Sequence, residues 1–190
     1  MSSMRNVLFV LSGPSGVGKG TIAKKLIERN NIALSISCTT RLPRNGEIDG
    51  KDYFFISKRQ FVDKIKKNGF LEYSEHFGNF YGTPKDFVEN HLADKDVLLE
   101  IDVDGGLSVK KNFGDAILIM IVPPTLNDIK KRLESRNTES DENIKLRMER
   151  IDYELGKKSE YDYVIVNDDL SDAVSEIEKI LKKEKAKKGE

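Results

Sequence analysis

Four short stretches of the chain are apolar almost throughout: Val7 to Leu11, Val97 to Val103, Ala116 to Val122 and Tyr163 to Val166. Runs rich in Val, Ile and Leu with no polar alternation read as strands buried on both faces, and hence as neighbours in a parallel sheet. Helical periodicity alternates with them. Ile22, Leu26 and Ile27 make one face after the first run, Leu126, Ile129 and Leu133 another, and Val174, Ile177 and Leu181 a third. Strands alternating with helices predict an open α/β sheet.

Two stretches break this rhythm. Ser37 to about Asp94 contains a Pro/Gly-bearing loop, a mixed aromatic and polar segment, and a helix announced by a capping box from Ser57 to Gln60. It reads as an inserted subdomain. From about Thr125 to Lys158 two charged helices flank Asn137 to Asp141 with no strand between them, the pattern of a lid. The last residues, Lys182 to Glu190, are charged or small and read as a solvated, frayed helix end.

Composition narrows the function classes. The chain has 190 residues, enough for one domain with insertions, and its 32 Lys plus Arg balance its 32 Asp plus Glu. No overall field draws it to nucleic acid or to a membrane, so an anion site has to be local. A lone Cys38, with only His76 and His91 beside it, offers neither a disulfide nor a zinc pattern and suits a reducing cytoplasm. The run from Val7 is too short to span a bilayer. Monomer and small homo-oligomer both stay open.

The strongest chemical signal directly follows the first apolar run. Gly13-Pro14-Ser15-Gly16-Val17-Gly18-Lys19 lies between a strand pattern and a helix pattern, the context that a phosphate-cradling loop requires. Glycines let backbone N–H groups turn inward, the following helix adds its positive end, and Lys19 adds a charge between β- and γ-phosphates. Gly20 stands where the general pattern has Ser or Thr, and the hydroxyl comes one place later at Thr21. No direct protein ligand for magnesium is assigned; Thr21 and Asp102 are the candidates, acting through water. Gly-Lys-Gly-Thr resembles the nucleoside monophosphate kinases.

Ser37, Thr39, Thr40, Arg41 and Arg44 crowd a second loop, in which two arginines repel each other unless an anion lies between them. Glu100 and Asp102, two apart on the second strand run, are expected on one face near its C-terminal end, where open α/β sheets bind ligands. These segments, with Gly50-Lys51-Asp52-Tyr53-Phe54-Phe55, Phe70-Leu71-Glu72-Tyr73, Tyr81-Gly82-Thr83, Glu100-Ile101-Asp102 and Val166-Asn167-Asp168, resemble the guanylate kinase family in order and spacing almost end to end. That resemblance implies an α/β P-loop kinase fold of three layers, with a parallel sheet core over 1–36, 96–124 and 159–190. A GMP-binding subdomain over 37–95 and a helical lid over 125–158 complete it.

The resemblance also implies the activity, transfer of a phosphoryl group from ATP to GMP with Mg2+; dGMP stays open as an acceptor. ATP then lies on the loop from Gly13 through Thr21, with Asn167 against the adenine. Arg41, Arg44, Tyr53 and Tyr81 hold the GMP phosphate, and Ser37, Glu72, Thr83 and Asp102 face the guanine. A carboxylate such as Glu72 accepts from guanine N1–H and N2 together, whereas adenine meets it with lone pairs. Glu100 and Asp102, the carboxylate pair on the second run, are expected to position water-bound magnesium as well as the base, which puts Glu100 among the substrate-binding residues. Tyr73 reads as aromatic core of the insertion. Where this chain has Asp104 the family usually has Gln, which leaves that position without a role.

The lid supplies the remaining candidates. Arg132 and Arg136, four apart, flank the stripe of Leu126, Ile129 and Leu133, and such a like-charge pair costs about 0.2–0.5 kcal/mol unless an anion joins it. Arg147 borders the next stripe of Ile144, Met148, Ile151 and Leu155, while Arg150 turns away and reads as solvated. With Lys19, the family pattern makes Arg132, Arg136 and Arg147 the catalytic set. The competing reading is a guanylate-kinase-like module that binds phosphopeptides without catalysis; such modules lack a working phosphate loop.

Overall fold

The computed structural model describes residues 6–76, 78–129 and 141–189. Its core is a five-stranded, wholly parallel sheet in the order β2-β7-β1-β8-β9. The strands are β1 (Leu8–Ser12), β2 (Ile32–Leu34), β7 (Asp96–Glu100), β8 (Ile117–Val122) and β9 (Tyr163–Val166). The first strand in sequence is thus the middle strand in space. Phe9 and Leu11 pack into one core cluster and Leu8 and Val10 into the other, so alternate residues of β1 fill opposite faces of the sheet. The same division runs along β8, with Ile119 and Ile121 on one side and Leu118, Met120 and Val122 on the other. Burial on both faces is why β1 and β8 are continuously apolar, whereas β9, expected to be buried likewise, lies at the sheet edge and exposes Val164 and Val166.

Helices cover both faces. α1 (Lys19–Arg29) buries Ile22, Ala23 and Leu26 with Val174, Ile177 and Leu181 of α6 (Leu170–Gly189) in the first cluster. α4 (Val103–Asn112) brings Val103 and Val109 to the second. Three layers result.

A second sheet, β4-β3-β6-β5, is built from β3 (Cys38–Thr39), β4 (Phe54–Phe55), β5 (Phe70–His76) and β6 (Asn79–Pro84). β5 and β6 form an antiparallel hairpin. α2 (Lys58–Lys66) starts where expected: Ser57 accepts from the backbone N–H of Gln60 and the Gln60 side chain accepts in return from that of Ser57. Phe61 of α2 stacks on Phe70 and Phe80, the hydrophobic anchor of this region. Tyr73 is not part of that anchor. Its ring lies on the same face and packs against Phe61 and Phe70, but from the rim, where it stays exposed. α3 (Lys85–Leu92) returns the chain to β7.

Three further expectations need correction. The apolar run from Val97 to Val103 is not one strand: β7 ends at Glu100 and α4 begins at Val103. Asp102 is therefore the N-cap of a helix, its side chain accepting from the Gly105 N–H, and it does not share a strand face with Glu100. The C-terminal tail is not frayed through its length, since α6 continues to Gly189 and Leu181 and Glu184 are buried. Lys185 reaches Asp96 at 2.7 Å, and the same buried carboxylate accepts from the Val7 N–H, so this end of the chain is tied to the start of β1. The helix α5 (Asp141–Gly156) packs Met148, Ile151 and Leu155 around Ile129, the stripe foreseen for it.

Candidate active site

The loop after β1 turns through two glycines that no other residue can replace cheaply. Gly13 has φ 145°, and a Cβ there would lie 2.2 Å from the Ile121 carbonyl oxygen. Gly18, with φ 98°, hands the chain to α1 at Lys19. The Lys19 ammonium folds back over the loop and donates to the carbonyls of Gly13 at 2.6 Å and Pro14 at 3.0 Å. Burial lowers its pKa, against the attraction of Glu100, Glu154 and Asp102, three carboxylates that approach from β7, α5 and the N-cap of α4. Asn167, buried just beyond β9, donates from Nδ2 to the Val17 carbonyl at 2.8 Å and so clamps the loop from the far side of the sheet.

Opposite the loop, β5 and β6 present a carboxylate pocket. Glu72 is buried and its Oε1 accepts twice from Thr83, from the hydroxyl at 2.6 Å and from the backbone N–H at 3.0 Å. Burial, with a smaller push from Asp102, raises the Glu72 pKa to about 7, although the Thr83 bonds pull the other way. A methyl group built on Gly105 would stand 3.2 Å from both Glu72 Oε2 and Asp102 Oδ1, so the two carboxylates converge on one point at the first turn of α4. Asp102 Oδ2 is met by His76 Nε2 at 2.6 Å.

The anion expected between Arg41 and Arg44 is supplied by the chain itself. Glu47 grips the Arg41 guanidinium through two bonds of 2.9 Å and accepts from the Arg44 backbone N–H at 2.6 Å. Those bonds draw the Glu47 carboxyl down to about 2. Arg41 lies 5.4 Å above the Tyr53 ring, which in turn meets Tyr81 edge-on at 6.1 Å. Arg41, Tyr53 and Tyr81 thus come together. Arg44 sits on the same loop with an exposed residue surface, and Ser37 passes its carbonyl to the Phe54 N–H.

Two residues that carried no role have one. Arg150 is not merely solvated: it donates to Asp104 at 2.6 Å and to buried Glu154 at 3.0 Å, while the Tyr153 hydroxyl reaches Asp104 at 3.0 Å. Asp104 thereby ties the first turn of α4 to α5. The pairing spans 46 residues of sequence, which periodicity alone does not bring together. Arg132 and Arg136 lie outside the described residues, as does the side chain of Arg147, whose backbone belongs to α5. Among the described residues no cluster of three or more His, Cys, Asp or Glu could hold a metal alone, and no helix is long and apolar enough to cross a membrane.

Comparison with known proteins agrees with this geometry. A family model described as guanylate kinase matches residues 4–184. A guanylate kinase of Clostridium tetani is 48% identical over 184 residues, covering 96% of this chain and 88% of that protein. One from Prochlorococcus marinus is 49% identical over 179 residues, with 93% and 97% covered. The crystal structure of guanylate kinase from Anaplasma phagocytophilum superposes with a TM-score of 0.78 at 34% identity, covering 95% of this chain and 86% of that one. The family model's match over residues 4–184, with relatives 48% and 49% identical across 96% and 93% of this chain, places the chain in the guanylate kinase family.

Proposed function

We propose that the chain is an ATP:GMP phosphotransferase whose donor site is the loop from Gly13 to Thr21 and whose acceptor site lies between the β5–β6 hairpin and the first turn of α4. It moves the γ-phosphoryl group of ATP to GMP, giving ADP and GDP. The observation that carries the assignment of residues is the position of Asp102, which belongs to both places: its charge acts on Lys19 and its carboxylate converges with Glu72.

On the donor side, the ammonium of Lys19 leaves the carbonyls of Gly13 and Pro14 for the β- and γ-phosphate oxygens, and the flanking carboxylates keep it protonated in a buried place. Phosphoryl transfer spreads negative charge over the moving oxygens, so positioning and fixed positive charge supply most of the rate enhancement. Arg132, Arg136 and Arg147 add that charge from the lid, and its closure keeps water from taking the phosphoryl group. Asn167 holds the loop and borders the adenine.

On the acceptor side, Arg41, Arg44, Tyr53 and Tyr81 receive the GMP phosphate. Three of the five Arg41 N–H groups are engaged by Leu42 and Glu47, and the guanidinium is hydrogen-bonded to Tyr81 as well, so the phosphate would meet Arg41 and Tyr81 together. Glu47, gripping the planar guanidinium through two bonds, fixes its direction. The base is read by Glu72, Asp102, Thr83 and Ser37. Because Oε1 already accepts two bonds from Thr83, Glu72 meets one guanine donor through Oε2 and leaves the other to Asp102.

Mg2+ fits the donor set. Gly20 leaves room for the Glu100 carboxylate, whose oxygen would be 3.4 Å from a Cβ at that position, and Thr21, Glu100 and Asp102 together offer oxygen to a hard cation through water. Such an ion would neutralise phosphate charge during transfer.

A coupled assay of ADP release with ATP, magnesium and a panel of nucleoside monophosphates tests the whole reading. GMP should be turned over far faster than AMP, CMP or UMP. Equal rates with AMP would reject the acceptor assignment, and no ADP with any acceptor would favour the phosphopeptide-binding alternative.

A further inference from the structure

Asp102 has two oxygens and two partners. Oδ1 accepts from the Gly105 N–H at 2.7 Å, a bond that belongs to α4, and Oδ2 meets Nε2 of His76 at 2.6 Å, a bond that comes from the hairpin. An ionised carboxylate only accepts, so an approach this close requires the proton to be on Nε2. The same nitrogen lies 3.0 Å from the Ser74 hydroxyl, and the imidazole leans on the Tyr81 ring with 6.0 Å between centroids. This bond joins the β5–β6 hairpin to the N-cap of α4. A carboxylate pinned through one oxygen still rocks about that bond; pinned through both, its plane is fixed.

We infer that His76 is a positioning residue for acceptor recognition: it fixes the Asp102 carboxylate so that the remaining lone pair of Oδ2 meets the guanine donor that Glu72 cannot take. The inference rests on the proposed reading of Asp102 as a guanine-facing group. Its reason is the count of acceptors. Thr83 saturates Glu72 Oε1, Glu72 Oε2 serves one donor of the base, and Asp102 Oδ1 is bound to the Gly105 N–H within α4, which leaves Asp102 Oδ2 as the remaining carboxylate oxygen of the pair. A donor on that oxygen also offsets the repulsion between two carboxylates brought to the same glycine.

The test uses three variants and steady-state kinetics for both substrates. His76→Phe keeps a planar ring and removes the N–H; His76→Gln puts an amide N–H near the place of Nε2; Asp102→Asn removes the proposed acceptor charge. His76 is about one-third exposed at the hairpin, and near-unchanged melting temperatures show that each His76 variant is folded. His76→Phe should raise KM for GMP about three- to tenfold, the range of one modest hydrogen bond, with KM for ATP and turnover at saturating GMP within about twofold. His76→Gln should recover most of the loss. Equal impairment by Phe and Gln would overturn the inference by making the ring's packing the cause. A fall in KM with His76→Phe would overturn it by making the imidazole a competitor of the base. Unchanged GMP kinetics with His76→Phe, while Asp102→Asn raises KM, would reject the role of His76 and leave the acceptor reading standing. Unchanged kinetics in both variants would reject the acceptor reading itself.

Discussion

Replacing Glu72 by Gln should make the protein more stable and a much poorer kinase. The carboxylate is buried, it faces Asp102 across Gly105, and its pKa rises from the usual carboxylate range to about 7. A carboxyl whose pKa is higher folded than unfolded destabilises the native state when ionised. The penalty is absent below about pH 4.5, grows between there and pH 7, and is constant above. A displacement of two to three pH units corresponds to about 2–4 kcal/mol at pH 8, which an uncharged Gln of the same shape avoids. If its amide oxygen takes the place of Oε1, both Thr83 bonds survive. The NH2 then stands at the Oε2 position and opposes a guanine donor with another donor, and the charge-assisted bond, about 1.5–3 kcal/mol, is gone. Thermal melting at pH 4.5 and pH 8 checks the first half: at pH 8 the variant should melt several degrees above the parent, and at pH 4.5 the two should nearly coincide. A coupled ADP assay checks the second half, with kcat/KM for GMP expected to fall about tenfold to a hundredfold or more while ATP binding is unchanged. AMP should remain a poor substrate. Equal melting at both pH values would show that Glu72 carries no buried charge, and GMP kinetics within about twofold of the parent would show that it does not read the base.

Lys19→Met should leave the fold intact and remove most turnover, measured by ADP release; near-normal turnover in a folded variant would sink the proposed mechanism. For the parent, kcat/KM for GMP should rise with pH through about 7 as Glu72 ionises, and the part of this rise due to the enzyme should vanish in Glu72→Gln, since the nucleotide's own phosphate titration is common to both profiles. Gly13→Ala should give little soluble protein, because a Cβ at 2.2 Å from the Ile121 carbonyl adds to an unfavourable positive φ; wild-type expression and melting would refute that.

What could be read from the chain alone follows the range over which each interaction acts. The apolar strands and the capping box at Ser57 are local patterns, and their positions match to within a few residues. β2 escaped notice because three residues, Ile32 to Leu34, are too few to establish a period. α4 was hidden by Gly105 and Gly106, poor helix formers that are present because a Cβ at 106 would lie 2.5 Å from the Tyr161 hydroxyl and one at 105 would crowd two carboxylates. That hidden helix is also why Asp102 read as a strand residue and not as an N-cap. The pairing of Glu47 with Arg41, six residues apart, is not legible in the sequence, because side-chain direction in an irregular loop follows no period. The links from Arg150 to Asp104, from Asn167 to Val17 and from His76 to Asp102 depend on which elements meet in space. Among them, Asp104 and Arg150 carry charge pairs that a residue-by-residue reading treats as surface.

The placement of β1 at the middle of the sheet bears on how the protein is made. Leu8 pairs with Val97 and Phe9 with Ile117, so β1 has no strand neighbour until 89 further residues exist, counted from 8 to 97. At about 5–20 residues per second that is a wait of roughly 5–20 s for a five-residue strand with no exposed side in the finished molecule. Lys185, which completes the bond network of Asp96 at the start of that strand, comes 89 residues after Asp96. Core assembly therefore waits on segments far along the chain, and the high sequence separation of its central pairings makes it slow even then. The nascent chain, not the native enzyme, is the stage at which this protein most needs protection from aggregation.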